Sequence, residues 1–330
     1  MLVAEFQRIL QMGNRNMLLL GVFFAIALGV RAPLSQYILH HFDFTAPLVA
    51  LIFTAQGLNM DFSQADKIRD YIKIFIAAVI IAIIAYPALA YGFADFFELP
   101  KDYTLGFILI CCFPTSLEAA MAMTMSAEGN RVTAVVLLVG LSLAGIISIP
   151  LNIYIWLGGT AKISSITILT KVGTYVFLPI ITGQLLRKIF PALPHKAKTL
   201  SHYIPIICIS ILVYISCSRE AAIIHSIPLG QIVHILFPSA LLHFLMLIMA
   251  FSAGRYLLRL TKADSRSFIF IVSEKPMSLS IALWSVTYAS EHPISIFSIL
   301  IFYVTQMIID SFIISRLKLQ NISEEKRSAV

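Results

Sequence analysis

Four stretches of this chain, Ile74–Ala94, Val132–Ala161, Thr199–Ser218 and Ala221–Gly254, contain no Asp, Glu, Lys or Arg, and each is twenty residues or longer. About 20 apolar residues make a helix that crosses the hydrocarbon core of a bilayer. In lipid the backbone must satisfy its own hydrogen bonds, which leaves only helices and closed barrels. The alternating ten-residue pattern of a barrel strand is absent. Composition agrees: 59% of residues are hydrophobic and 12% charged, against roughly 45–50% and about 25% in a soluble domain. The expectation is an all-α, multi-pass membrane protein.

Hydropathy and turn signals place ten spans, at 17–31, 46–60, 71–94, 103–126, 131–157, 167–189, 200–217, 229–256, 267–290 and 294–316. Leu99-Pro100, Glu128-Gly129-Asn130, Gly158-Gly159, the Pro191–Pro194 stretch and His292-Pro293 separate several of them. Of the 24 Lys and Arg residues, eighteen fall in loops on one side, five on the other, and Lys275 inside a span. That bias puts both termini in the cytoplasm. It also accounts for the net charge of +7 without nucleic acid as a partner. The segment Met17–Val30 reads as a first membrane helix, since it lacks a small-residue cleavage site. Cys111, Cys112, Cys208 and Cys217 lie in or beside apolar segments with no CxxC or His-rich spacing, so packing suits them better than a metal or a disulfide.

One phrase occurs twice. FPTSLEAAMA at 113–122 and KPMSLSIALW at 275–284 align Pro114 with Pro276, Ser116 with Ser278, Leu117 with Leu279 and Ala120 with Ala282. The offset is close to half the chain. Ten spans then divide as five plus five, a first repeat over 1–165 and a second over 166–318, with a tail at 319–330. An odd number of spans per half inverts the second half, a construction common in secondary transporters. The phrase falls on the fourth and ninth spans. Proline lacks an amide and clashes with the preceding turn, so Pro114 and Pro276 are expected to break these helices. Broken backbone at membrane depth is tolerated only where protein buries it or a water-filled cavity borders it. Two such discontinuous helices crossing near the midplane offer carbonyls to a cation and amide ends to an anion. Pro87, Pro150, Pro179 and Pro238, without such a flanking match, are read as kinks.

Charged residues within these spans are the candidate site. A carboxylate at the centre of a membrane helix costs at least roughly 2.5–3.5 kcal/mol to insert, so Glu118 must find a partner, face water or carry a proton. It is read as a proton or cation site; the plainer alternative is a salt bridge to Lys275 that pins the broken helices. Lys275, Thr115, Ser278 and Gln306 are candidates for holding an anionic substrate. Asp310 lies about one turn before Arg316, which suits a snorkelling interfacial residue as well as a site residue. His243 is read as a packing histidine.

Several motifs resemble one family. The stretch Gly106–Asn130, GFILICCFPTSLEAAMAMTMSAEGN, is similar to the fourth span of the bile acid:sodium symporter superfamily. Gln56-Gly57-Leu58-Asn59-Met60 resembles its turn at the end of the second span, and Leu178-Pro179-Ile180 with Gly183-Gln184 its element in the sixth. Ser273–Leu279, SEKPMSL, resembles the crossover of the SBF-like branch. The resemblance implies ten helices, a panel domain of spans 1, 2, 6 and 7 and a core domain of spans 3–5 and 8–10. It also implies sodium-coupled uptake of organic anions such as bile acids or other small carboxylates. The matching positions for ion coupling are Ser116, Glu118, Glu274, Ser278 and Ser280. The family's hydroxyl positions in the fifth span fall on Ala134 and Leu138, and its glutamine in the third near Ala82. Coupling is therefore expected through a proton on Glu118 or one residual Na+ at Ser116, Glu118, Glu274 and Ser278, with no other cofactor.

The expected function is secondary active symport of a small organic anion. The alternative is a membrane sensor on a transporter scaffold that binds solute without accumulating it. No HExxH, GxSxG or paired aspartates support an intramembrane enzyme, and no nucleotide-binding motif supports a pump.

Overall fold

The computed structural model describes residues 20–35, 44–59, 68–69, 71–158, 170–190, 193–219, 221 and 228–328, with the side chains of 118, 193–202 and 318–328 left aside. The expected start of the first span at 17–19 and the 319–330 tail beyond its helical backbone lie outside this description. The described residues are helical, with no strand. In chain order the helices are α1 Leu20–Arg31, α2 Thr45–Asn59, α3 Ile72–Phe96, α4 Lys101–Cys111, α5 Leu117–Ser126, α6 Arg131–Leu157, α7 170–189, α8 Leu193–Arg219, α9 Leu229–Leu257, α10 Lys262–Ser273, α11 Met277–Thr287 and α12 Ser295–Ser328. Five stretches are long and apolar enough to cross a membrane: α3, α6, α9, α12 and the interrupted run α10–α11.

The burial pattern is that of a protein surrounded by lipid. On α3, Ile72, Ile76, Ile80 and Ile84 form an outward stripe, each about half exposed, while Ala78, Ala82, Tyr86 and Ala90 are fully buried on the other face. A soluble helix would carry polar residues on its outer stripe. The interior instead holds the polar groups: His243, Glu274, Lys275, Gln306 and Asp310 are all 0% exposed. Ionisable side chains within membrane segments face the protein interior and pair there.

Two helices are interrupted as their prolines dictate. Helix α4 ends at Cys111 and α5 begins at Leu117; α10 ends at Ser273 and α11 begins at Met277. The breaks are extended backbone, with Ser116 at φ −91°, ψ 126° and Glu274 at φ −75°, ψ 125°. Pro150, Pro205 and Pro238 lie inside continuous helices. Pro87 behaves in a third way. It follows a π-helical stretch, Ile80–Ala85, in which the Tyr86 amide bonds the Ile81 carbonyl five residues earlier, so its missing amide takes one donor from the place where the ladder passes over the Ala82 and Ile83 carbonyls. Both find side chains instead: Asn152 of α6 donates to the Ile83 carbonyl at 3.0 Å, and Lys275 donates to the Ala82 carbonyl at 2.8 Å.

Small residues set the closest approaches, as between membrane helices generally. Helix α2 packs on α7 through Gly57 and Gly183. A Cβ at Gly57 would collide with the Ile180 carbonyl oxygen, and one at Gly183 with that of Thr54. The two motifs that sequence separates by more than a hundred residues are thus in direct contact, and Gln184 Nε2 donates to the Gly57 carbonyl. Helix α4 meets α12 at Gly106, where a Cβ would strike the Ser295 carbonyl oxygen.

Candidate ion and anion site at the helix breaks

The start of α10 is fixed first. Thr261 caps it, its Oγ1 accepting from the Asp264 amide at 3.2 Å. Asp264 Oδ1 accepts from Asn130 Nδ2 at 2.8 Å and Thr133 Oγ1 at 2.6 Å, while Ser267 Oγ donates to the Asn130 carbonyl at 2.8 Å. This cluster binds the turn between α5 and α6 to the first turns of α10. The two interrupted helices are therefore held together at one end by side chains and at the other by their breaks.

At the breaks the contact is backbone to backbone. The Ser116 amide donates to the Glu274 carbonyl at 3.2 Å, and Thr115 Oγ1 donates to the Ile271 carbonyl at 2.6 Å. Ser116 also caps α5, its Oγ accepting from the Ala119 amide at 3.3 Å. Pro114 is seated against α6 at Gly145, where a Cβ would lie 3.0 Å from its Cγ. Gln306 of α12 closes the other break. Its Oε1 accepts from the Lys275 amide at 3.2 Å, and its Nε2 donates to the Lys275 carbonyl and to Glu274 Oε2, each at 2.9 Å. A backbone amide and carbonyl freed by Pro276 are thus satisfied by one primary amide.

The Lys275 ammonium is the hub. Nζ donates to the Phe113 carbonyl at 2.7 Å, the Ala82 carbonyl at 2.8 Å and, more weakly, the Pro114 carbonyl at 3.4 Å. It also lies 4.1 Å from the centroid of the Tyr86 ring, within cation–π range. The acceptors belong to the π stretch of α3 and to the break after α4. A helix C-terminus carries partial negative charge on its unsatisfied carbonyls, so the end of α4 favours a cation there.

The remaining sequence candidates take these places. Ser280 is buried and donates to the Pro276 carbonyl at 2.7 Å within its own helix. Ser278 is half-buried in the first turn of α11. Glu118 stands in the first turn of α5, with its side chain outside the described residues. Thr115, Ser116, Glu274, Lys275 and Gln306 share one hydrogen-bonded cluster. The N-termini of α5 and α11 follow the two breaks, and helix N-termini attract anions.

Sequence reasoning missed a second buried group beside this cluster. Tyr86 Oη lies 3.2 Å from His243 Nδ1, and His243 Nε2 lies 3.0 Å from Asp310 Oδ1. His243 is thus a satisfied packing histidine with a side-chain partner on each ring nitrogen, and Asp310 is fully buried instead of snorkelling. The apolar span of α12 ends at Leu317, so Asp310 stands about two turns inside that end, and it is burial against His243 that sets it apart from a snorkelling residue. Pro87 was the available signal for the Ala82 acceptor, read only as a kink. Among the described residues no three His, Cys, Asp or Glu side chains gather as a metal cluster.

Known proteins are similar in sequence to this chain along most of its length. The chain is 22% identical over 287 residues to sodium/bile acid cotransporter 7 of Xenopus tropicalis, covering 84% of this chain and 83% of that protein. It is 22% identical over 286 residues to sodium/bile acid cotransporter 7 of Mus musculus, 84% of each chain. It is 23% identical over 292 residues to the Arabidopsis thaliana protein named probable sodium/metabolite cotransporter BASS4, chloroplastic, covering 84% of this chain and 66% of that one. These names describe transporters, not enzymes. A family model matches residues 16–319, a stretch that takes in both breaks, the α2–α7 contact and the buried His243–Asp310 contact: the chain belongs to the SBF-like CPA transporter family.

Proposed function

We propose that this protein is a secondary transporter that carries a small organic anion across a membrane by alternating access, coupled to Na+ or H+. The observation that carries the reading is the meeting of two interrupted helices at a buried, polar, hydrogen-bonded contact, the Ser116 amide on the Glu274 carbonyl. Such breaks place amide-bearing helix ends for an anion and carbonyl-bearing ends for a cation in one spot. The sodium/bile acid and sodium/metabolite cotransporters among its relatives support a carboxylate substrate and a sodium ion as the first coupling candidate. In this reading residues 1–165 and 166–318 are inverted halves, and spans 1, 2, 6 and 7 form a panel. A core of spans 3–5 and 8–10 rocks against that panel, and both termini lie in the cytoplasm. Ser116, Glu118, Glu274 and Ser280 serve ion coupling, while Thr115, Ser278 and Gln306 border the anion.

The test is accumulation of labelled carboxylates in proteoliposomes, with sodium and proton gradients imposed separately, for the full chain and Glu118→Gln. Concentrative uptake driven by either gradient supports symport. Saturable binding with no accumulation under either gradient refutes it in favour of a sensor. Glu118→Gln transporting at the normal rate with the same ion requirement removes Glu118 from coupling.

A further inference from the structure

We propose that the Lys275 ammonium is a built-in cation that fills the cation position at the helix breaks, so that these carbonyls accept a free sodium ion only when the ammonium is gone. The proposal deepens the transport reading and rests on it for the meaning of the site, but its test reads ion binding and not transport.

The geometry is that of an ion site with its ion attached. Carbonyl oxygens of Ala82, Phe113 and Pro114 converge on one point from two separate elements. Three buried carbonyls with their lone pairs directed at a common centre are unfavourable unless something positive or donating stands there. Sequence alone explains why each is available: Pro87 removes the donor that Ala82 would have met, and the break at Pro114 strips the donors from the end of α4. Hard monovalent and divalent cations select such all-oxygen sets. Here the occupant is Nζ, fully buried, at 2.7–2.8 Å from two of the oxygens and 4.1 Å above the Tyr86 ring. The ring lends further negative potential from its face.

A second consideration points the same way. The side chain leaves the chain from one break and its charge ends at the other, and both lie at helix C-termini, those of α10 and α4. One charge therefore offsets the negative ends of two half-helices that approach each other. With the ammonium in place, a sodium ion at the same point would meet a like charge and find its oxygens occupied.

The experiment is thermal unfolding of the purified full chain in detergent, in sodium chloride against choline chloride at equal ionic strength, with methylammonium chloride as a third arm. Choline is too bulky for the position; methylammonium is the severed end of the lysine. The wild type is expected to unfold at the same midpoint in choline and methylammonium, and any gain it shows in sodium, from a coupling site elsewhere, is expected to persist in Lys275→Met. Lys275→Ala, which opens the space, is expected to unfold earlier in choline and to regain about 5 °C or more, saturably, in sodium and in methylammonium. Lys275→Met, which fills the space without charge, is expected to respond no more than the wild type. Where Lys275→Ala gives no folded protein, Lys275→Ser, which is equally short, takes its place with the same expectation. Saturable, sodium-specific stabilisation of the wild type that Lys275→Met abolishes overturns the proposal, because sodium then binds beside the ammonium. So does a folded Lys275→Ala or Lys275→Ser that responds to neither cation beyond the wild type. The two readings fail separately. A wild type that accumulates carboxylate, with a sodium stabilisation that Lys275→Met abolishes, keeps transport and sinks the tethered ion. A sodium-responsive Lys275→Ala in a chain that accumulates nothing does the reverse.

Discussion

Replacing Gln306 by leucine tests whether one side chain holds the second break closed. Gln306→Leu preserves reach and bulk but removes three hydrogen bonds at once, to the Lys275 amide, the Lys275 carbonyl and Glu274 Oε2. All three groups are buried, and Gln306 is itself 0% exposed. A buried polar group stripped of its partner costs roughly 1–3 kcal/mol. Summed without assuming full additivity, the loss is of order 3–6 kcal/mol. Gln231→Leu provides the control. The chemical change is identical, but Gln231 is exposed and makes one bond, accepting from Tyr103 Oη at 2.9 Å. Its loss is worth about 1 kcal/mol or less. Thermal unfolding of both variants in one detergent, compared by apparent midpoint, reads the difference. Gln306→Leu is expected to unfold many degrees below Gln231→Leu. Gln306→Glu is expected to be at least as damaging as Gln306→Leu, since a carboxylate replaces the donor facing Glu274. Equal midpoints for the Gln306 and Gln231 variants would show that the break is held by something other than this amide.

Two further predictions follow from packing and charge. Gly57→Ala and Gly183→Ala are each expected to cost about 1–3 kcal/mol or more, because the new methyl group meets backbone carbonyls that lack room to move. Gly92→Ala, with nothing within 4 Å of the added atom, is expected to be neutral or to stabilise by up to about 1 kcal/mol; the ranking of folded yield and melting midpoint checks both. Asp310→Ala and His243→Ala are each expected to destabilise by about 1–3 kcal/mol or more, and the double variant by much less than their sum, because each single change strands a buried partner. Additive losses in a double-mutant cycle would show that the two side chains do not pair.

What sequence made legible was what physical chemistry marks locally. Charge-free runs announced helices because lipid permits little else, and the matched prolines announced interruptions because an imino acid has no hydrogen to give. The partners of those interruptions were another matter. Lys275 was visible as a charge out of place, but its acceptors are main-chain oxygens, and no side chain at Ala82 or Phe113 advertises them. The Tyr86–His243–Asp310 contact joins three helices across separations of 157 and 67 residues, with no periodic signal linking them. Asp310 was weighed as interfacial because Arg316 follows within two turns, whereas its side chain faces inward to His243. Gly57 and Gly183 were noticed as parts of separate motifs; that they face each other is a property of tertiary packing alone.

The Ala82 acceptor has a consequence for how this protein tolerates change. Its chemistry resides in the peptide unit, so valine or serine at position 82 would leave the oxygen in place if it fitted, whereas a substitution five residues on, at Pro87, restores a competing amide and withdraws it. The position that touches Lys275 and the position that governs the touch are different letters of the sequence. Comparing related chains column by column at 82 would score as indifferent a spot whose main-chain oxygen helps to hold Lys275.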